Sequence, residues 1–303
     1  MSLDADHVRQ LIGRLRGLIE QTGQAAEVER VHHLRTHTRR LEALLQAPPA
    51  TSFKGKRKLL KRLKRLRRRA GKVRDLDVQM EALASLSRGA TAPNLLAAPD
   101  GRCDRASLAG KGSTLYSARL RVAASRSAAS ACQDLQRLLQ QDRERQAGKL
   151  RRRLRGAKSG KLQKGLQAAE KHLCAAGSHR NQSTSRQAVV TVHRRFTRMK
   201  PPAATVPDAQ LHAWRIQCKH LRYRLEALGD DAGTRRMIAE LKRIQDAVGT
   251  WHDWLTLTQS AETLLPAKPN GALLPALQRA TARRRLQALR VIASVRRQWG
   301  SLR

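Results

Sequence analysis

The chain has 303 residues, 40% of them hydrophobic but only 3% aromatic, and it carries 62 Lys and Arg against 23 Asp and Glu, a formal charge of +39. Length and apolar content suffice for a sizeable buried core, and the apolar set is mostly Leu and Ala without alternating Val, Ile and Thr runs, so helices are expected and no strand is. Too few acids are present to pair most of the bases, which makes a polyanion the expected partner.

A first helix is predicted from about Asp6 to Glu20, with Val8, Leu11, Ile12, Leu15 and Ile19 on one face and Thr22-Gly23 as its end. A second runs from about Ala25 to Gln46, where Pro48-Pro49 stops it. A third, strongly basic, runs from about Ser52 to Ser87 and spans roughly 50 Å at the usual helical rise. Residues 88–113, with Pro93, Pro99-Asp100-Gly101 and Gly110-Lys111-Gly112, read as a loop. Helical patterning resumes from about Leu115 to Leu154, breaks near Gly156 and Gly160, and continues from Leu162 to Ala175. Gly177 to Asn181 reads as the junction between halves.

The second half follows the same plan. A helix from about Ser185 to Met199 leads through Pro201-Pro202 and Pro207 into a helix from Asp208, the predicted N-cap, to Leu228. Further helices are predicted over about Thr234 to Leu264 and Leu274 to Trp299, with Pro266 to Gly271 turning the chain between them. Each half thus supplies about four helices. The expected fold class is all-α, two four-helix bundles related by internal duplication with a pseudo-two-fold, residues 1–176 and 182–303 being the two repeats of one domain over 1–303.

The duplication is read from landmarks in register. Val31-His32-His33-Leu34-Arg35 with Arg39-Arg40-Leu41 matches Leu211-His212-Ala213-Trp214-Arg215 with Lys219-His220-Leu221. Leu63-Lys64 through Gly71 to Asp75 matches Leu241-Lys242 through Gly249 to Asp253, with 39 residues from His32 to Gly71 and 37 from His212 to Gly249. On the first His-bearing helix Val31, Leu34, Thr38, Leu41 and Leu45 form the apolar stripe, and His32, Arg35 and Arg39 lie beside it. On the second, Leu211, Trp214, Cys218, Leu221 and Leu225 take the buried positions, and His212, Arg215, Lys219 and Arg222 line the edge. Guanidinium forks, an ammonium point charge and an imidazole donor together suit phosphate oxygens.

Between Lys54 and Arg74 no acid interrupts the bases, and Lys58, Lys61, Arg65, Arg68 and Lys72 fall on one face opposite the stripe of Leu59, Leu63, Leu66, Ala70 and Val73. Repulsion at i and i+4 makes this a poor isolated helix that a bound anion would relieve. Asp75 and Asp253 are expected to orient an Arg or His rather than to catalyse, and Asp77 has no counterpart in the second copy. His33 and His37 have a metal-compatible spacing but no third ligand, and Glu27 and Glu29 do not share a helix face, so no metal is expected. Cys103, Cys132, Cys174 and Cys218 lack a CxxC pattern and read as reduced thiols. With no leader-like N-terminus and no long apolar run, a cytoplasmic protein off the membrane is expected.

The segments His32-His33-Leu34-Arg35 to Arg39-Arg40-Leu41, Val73-Arg74-Asp75-Leu76-Asp77 and Leu211-His212 to Lys219-His220-Leu221-Arg222-Tyr223 resemble the CHAD domain, the conserved histidine α-helical domain, over nearly the whole chain. The resemblance implies an all-helical domain with a basic surface or central channel that binds inorganic polyphosphate, often with targeting to polyphosphate granules. The phosphate-binding positions it implies are His32, Arg35, Arg39 and Arg40, then Lys61, Lys64 and Arg65, then His212, Arg215, Lys219, Arg222, Tyr223 and Lys242, to which the basic face adds Lys58 and Arg68. Some family members carry a CYTH-type triphosphatase domain, but no such segment is visible here, so a noncatalytic binder without cofactor is expected. The rival reading is nonspecific RNA or DNA backbone binding. An enzyme acting on polyphosphate or nucleotides is weaker, for want of a metal-binding carboxylate cluster.

Overall fold

The structure, a computed structural model, describes residues 5–46, 53–90, 113–156, 158–176, 182–226, 232–265 and 272–300, and these are helical with short connections and no strand. The helices are α1 (Ala5–Gln24), α2 (Val28–Gln46), α3 (Lys56–Ala90), α4 (Ser113–Arg155), α5 (Lys158–Ala176), α6 (Gln182–Arg198), α7 (Asp208–Glu226), α8 (Ala232–Leu264) and α9 (Leu273–Gly300). Most of the predicted loop after α3 and its Cys103 lie outside the described residues, as do the expected junction at 177–181 and the turn at 266–271.

The apolar stripes become the core. Val31, Leu34, Thr38, Leu41 and Leu45 of α2 are buried, as are Leu211, Trp214, Cys218, Leu221 and Leu225 of α7 and the whole α3 stripe from Leu59 to Val73. Thr38 tolerates full burial because its hydroxyl donates to the Leu34 carbonyl one turn back, at 2.6 Å. At the start of α7 the amide of Leu211 donates to the Pro207 carbonyl, so Pro207 holds the capping position and Asp208 is the first helical residue, not the N-cap. There Asp208 faces the positive helix end and Arg285 Nε at 3.5 Å.

Packing does not stop at two bundles of four. Helices α1, α2, the first half of α3, the end of α4 and α5 enclose one core, with Leu34, Leu63, Leu150 and Leu166 inside it. Helices α6, α7, the first half of α8 and the end of α9 enclose another, built on Phe196, Trp214, Trp251 and Trp299. The remaining parts of the long helices meet in a third core around Leu83, Leu135, Trp254 and Leu277. Among the described residues the first half contributes five helices and the second four, α5 adding a layer against α1. Their lengths let α3, α4, α8 and α9 run from their own core into the shared one, and α3 packs against α8.

Arginine also closes helix ends. Arg155 donates to the Gly23 and Gln24 carbonyls at the end of α1, and Arg296 donates to the carbonyls of Phe196, Thr197 and Met199 at the end of α6. Arg285 holds the connection to α7 through the Ala204 and Val206 carbonyls. Two buried carboxylates cross-link helices, Glu42 to Arg67 at 2.7 Å and Asp77 to Arg143 at 2.8 Å.

Asp77 is the more enclosed, its side chain 1% exposed, and Arg143 spends a second donor on the Ala26 carbonyl. Replacing Asp77 with Ala leaves that guanidinium buried without its counterion. A loss of about 3–5 kcal/mol in unfolding free energy by urea denaturation is expected, the range for breaking a buried pair from one side.

Candidate functional site

The two matched segments meet where α3 packs against α8, and each builds the same small unit. In the first, Arg35 of α2 donates to Asp75 of α3 at 3.1 Å, and its guanidinium lies across Gly71, 3.8 Å from where a Cβ would stand. In the second, Arg215 of α7 lies across Gly249 of α8, with Nη2 3.3 Å from the corresponding Cβ position, and faces Asp253. Glycine and aspartate stand one helical turn apart in each copy, so the glycine clears the space in which the arginine lies and the aspartate fixes its charge.

Five cations converge here from α2 and α7, Arg35 and Arg39 from the first and Arg215, Lys219 and Arg222 from the second. Arg39 donates to the Tyr223 hydroxyl at 3.3 Å, linking the two halves, and Arg222 lies 5.1 Å from the centre of the Tyr223 ring while pairing with Glu226 at 3.1 Å. Lys219 sits among Arg39, Arg215, Arg35 and Arg222. Burial and these four positive neighbours pull its ammonium down to about 6. Burial likewise lowers Arg39 and Arg215, Asp253 and Asp75 partly offsetting it at Arg215. Asp253 is pushed up to about 6 by burial and by Asp75, against the pull of Arg215, Arg74 and Arg35.

Histidines border the cluster. His212 and His252 lie 4.5 Å apart between ring centres with their planes tilted by 47°, and burial and nearby cations hold both below the ordinary imidazole value. His32 is exposed; partial desolvation and then Arg74 lower it. Among the described residues, the buried Nε atoms of Arg35 and Arg215 and the buried Nδ1 atoms of His212 and His252 find no hydrogen-bond partner. The two arginine Nε–H groups are donors without acceptors and carry a large desolvation cost, which anion oxygens reaching them would offset.

Of the residues singled out in the sequence, the structure brings together Arg35, Arg39, Arg215, Lys219, Arg222 and Tyr223, with His212 at the margin. Arg40 is exposed and its charge acts on His37 instead. Lys58, Lys61, Lys64, Arg65 and Arg68 line the exposed face of α3, and Lys242 is exposed on α8. Arg74 and His252 belong to the cluster's surroundings although sequence reading did not select them. Their signal was positional, since each immediately precedes the aspartate of its copy. His37 donates to the His33 carbonyl at 2.9 Å, and no group of three or more metal-ligating side chains occurs among the described residues.

The buried ammonium has a measurable consequence. Lys219 keeps its proton to about 10.5 when solvated and loses it near 6 in the fold, so between those values the unfolded chain binds more protons and stability rises with pH. Asp253 acts oppositely and at lower pH, because its folded value of about 6 lies above the ordinary 3.8. Lys219→Met is expected to stabilise the ligand-free protein, most at about pH 6 and below, with the gain shrinking towards pH 10. Urea denaturation of both proteins across that range measures it; a gain that grows with pH contradicts the burial account.

Comparison with curated proteins found no match. A family model described as CHAD domain matches residues 5–262, which span both arginine–glycine–aspartate units, and the chain therefore belongs to the CHAD domain family.

Proposed function

We propose that this protein binds inorganic polyphosphate without turning it over, on the cationic cluster that α2 and α3 build with α7 and α8. We read the two halves as products of an internal duplication that produced two four-helix bundles about a pseudo-two-fold. The convergence of Arg35, Arg39, Arg215 and Lys219, with buried donors left over, carries the reading. Successive phosphates offer closely spaced oxygens to several cations at once, and family membership supports this ligand class. In this reading the ligand restores the proton on Lys219, which becomes a full positive charge when an anion arrives.

The aromatic residues favour this polymer over nucleic acid. Phe53, Phe196, Trp214, Trp251, Trp254 and Trp299 are buried, and Tyr223 is half-buried and engaged with Arg39 and Arg222. The described aromatic side chains therefore supply no exposed platform for base stacking. Asp75 and Asp253 face arginines, which leaves them poor candidates for gathering a catalytic metal. A cytoplasmic location, with recruitment to polyphosphate granules, follows as part of the proposal; among the described residues no helix is long and apolar enough to cross a membrane.

The decisive test is competition. Labelled long-chain polyphosphate is expected to resist displacement by RNA or DNA at equal phosphate concentration, and equal displacement supports the nucleic-acid reading instead. Replacing His212, Arg215 and Lys219 together with Gln is expected to weaken polyphosphate binding about a hundredfold or more, the loss of at least two charge-assisted contacts, while helicity by circular dichroism stays. Unchanged affinity in the folded variant removes this cluster from the site.

The glycines give a finer test. At Gly249 an added methyl must move Arg215, whereas at Gly71 it makes ordinary contact with Arg35. Gly249→Ala is expected to weaken binding more than Gly71→Ala, although alanine raises helix propensity by about 1 kcal/mol at either position. Equal binding losses contradict a role for the seating of Arg215.

A further inference from the structure

A second group of arginines stands apart from the central cluster. Arg65, Arg68 and Arg69 of α3 and Arg153 of α4 line an open cleft of about 340 Å³. On α3, Arg69 lies two residues from Gly71, about 200° around the helix, so the cleft occupies the other flank from the one Arg35 covers. Burial and the charges of Arg69, Arg65 and Arg62 depress Arg153.

The bland account of such a group is solvated side chains, aided at Arg153 by the negative end of α4. Two observations oppose it. Several other exposed arginines carry an acid one turn before them, namely Arg9 with Asp6, Arg137 with Asp134, Arg145 with Asp142 and Arg243 with Glu240. Here the sequence supplies none, because neither Lys54 to Arg74 nor Arg145 to Ala169 contains an Asp or Glu. Among the described residues none of the four guanidiniums donates to a carboxylate or a carbonyl, whereas neighbouring Arg62 reaches the Lys161 carbonyl at 2.8 Å. Leu66 of α3 and Leu150 of α4 belong to one buried core, so the arginines stand on helices that are packed together.

We propose that Arg65, Arg68, Arg69 and Arg153 form a second anion site that takes a compact, multiply charged phosphoryl group. In a long chain this group is a segment of the polymer held at the central cluster, a step that rests on the polyphosphate reading. Lys61, Lys64 and Arg68 lie along the exposed face of α3 between the two flanks. A helix with its side chains is only about 10–12 Å across, so one polymer can touch both sites, and the linkage raises its effective concentration at the second.

The test uses the full chain and inorganic pyrophosphate, too short to depend on both sites. By calorimetry, pyrophosphate is expected to bind the R215Q/K219Q protein and to bind at least roughly tenfold more weakly once R69Q/R153Q is added, the consequence of losing one or more charge-assisted contacts. A charge-matched pair, R236Q/R279Q, both exposed elsewhere, is expected to leave it unchanged. In the unaltered protein, pyrophosphate is expected to protect Arg69 and Arg153 from phenylglyoxal, read by peptide mass spectrometry. Absence of pyrophosphate binding to R215Q/K219Q, equal weakening by the control pair, or lack of protection overturns the site. If these results hold while nucleic acid displaces long-chain polyphosphate as well as polyphosphate itself does, the site stands and the polymer assignment fails.

Discussion

Repulsion among Arg35, Arg39, Arg215 and Lys219, brought together where α2 and α3 meet α7 and α8, is the constraint around which this molecule is organised. Partial burial removes the water that would screen these charges, and Asp75 and Asp253 return only part of what is lost. The arrangement persists because apolar packing on three sides is indifferent to it. Leu34 and Leu63 hold the first pair, Trp214 and Trp251 the second, and the shared core around Leu83 and Trp254 locks α3 to α8. A stable scaffold thus carries an electrostatically uncomfortable site, the usual division between fold and function.

The large positive charge divides into two populations with different physics. Arg67 and Arg143 neutralise buried carboxylates, Arg155 and Arg296 occupy carbonyls left open at helix ends, and Arg285 holds carbonyls of the connection into α7. These guanidiniums are cross-links, and their fork geometry matters more than their charge. The second population has donors without acceptors, as at Arg35 Nε and Arg215 Nε. Only this second population is available to a ligand, so net charge alone overstates the site while still pointing to its sign.

Helix positions and the buried stripes were legible in the sequence because each rests on a period of three or four residues, and the duplicated landmarks pointed to Asp75 and Asp253 as orienting an Arg or His without saying which. The third core was not. Its residues lie on the distal halves of α3, α4, α8 and α9, and the pairing of those halves depends on the angle at which long helices cross, which periodicity does not encode. Arg40 shows the same limit from the other side. It is adjacent to Arg39 in sequence, but a step of about 100° turns it towards His37, away from the cluster. The basic tract on α3 announced its charge without announcing that Arg153, more than a helix away in the chain, would face it.

The one chemical asymmetry in the repeated edge gains meaning from this geometry. Where the first copy has Arg39, the second has Lys219, deeper among like charges. A guanidinium in that place stays charged at any physiological pH and carries the full repulsion whether or not a ligand is present. A lysine can release its proton instead, and its depressed value places the neutral amine among the ground-state species at neutral pH. Arg39 can remain charged because the Tyr223 hydroxyl accepts its hydrogen bond, whereas Lys219 is surrounded by donors. Substituting arginine at 219 therefore adds a charge to the resting site, and the stability lost in the ligand-free state offsets whatever the extra fork contributes to an anion. The lysine lets one interface be both a tolerable helix contact when empty of charge partners and a stronger cation when an anion supplies them.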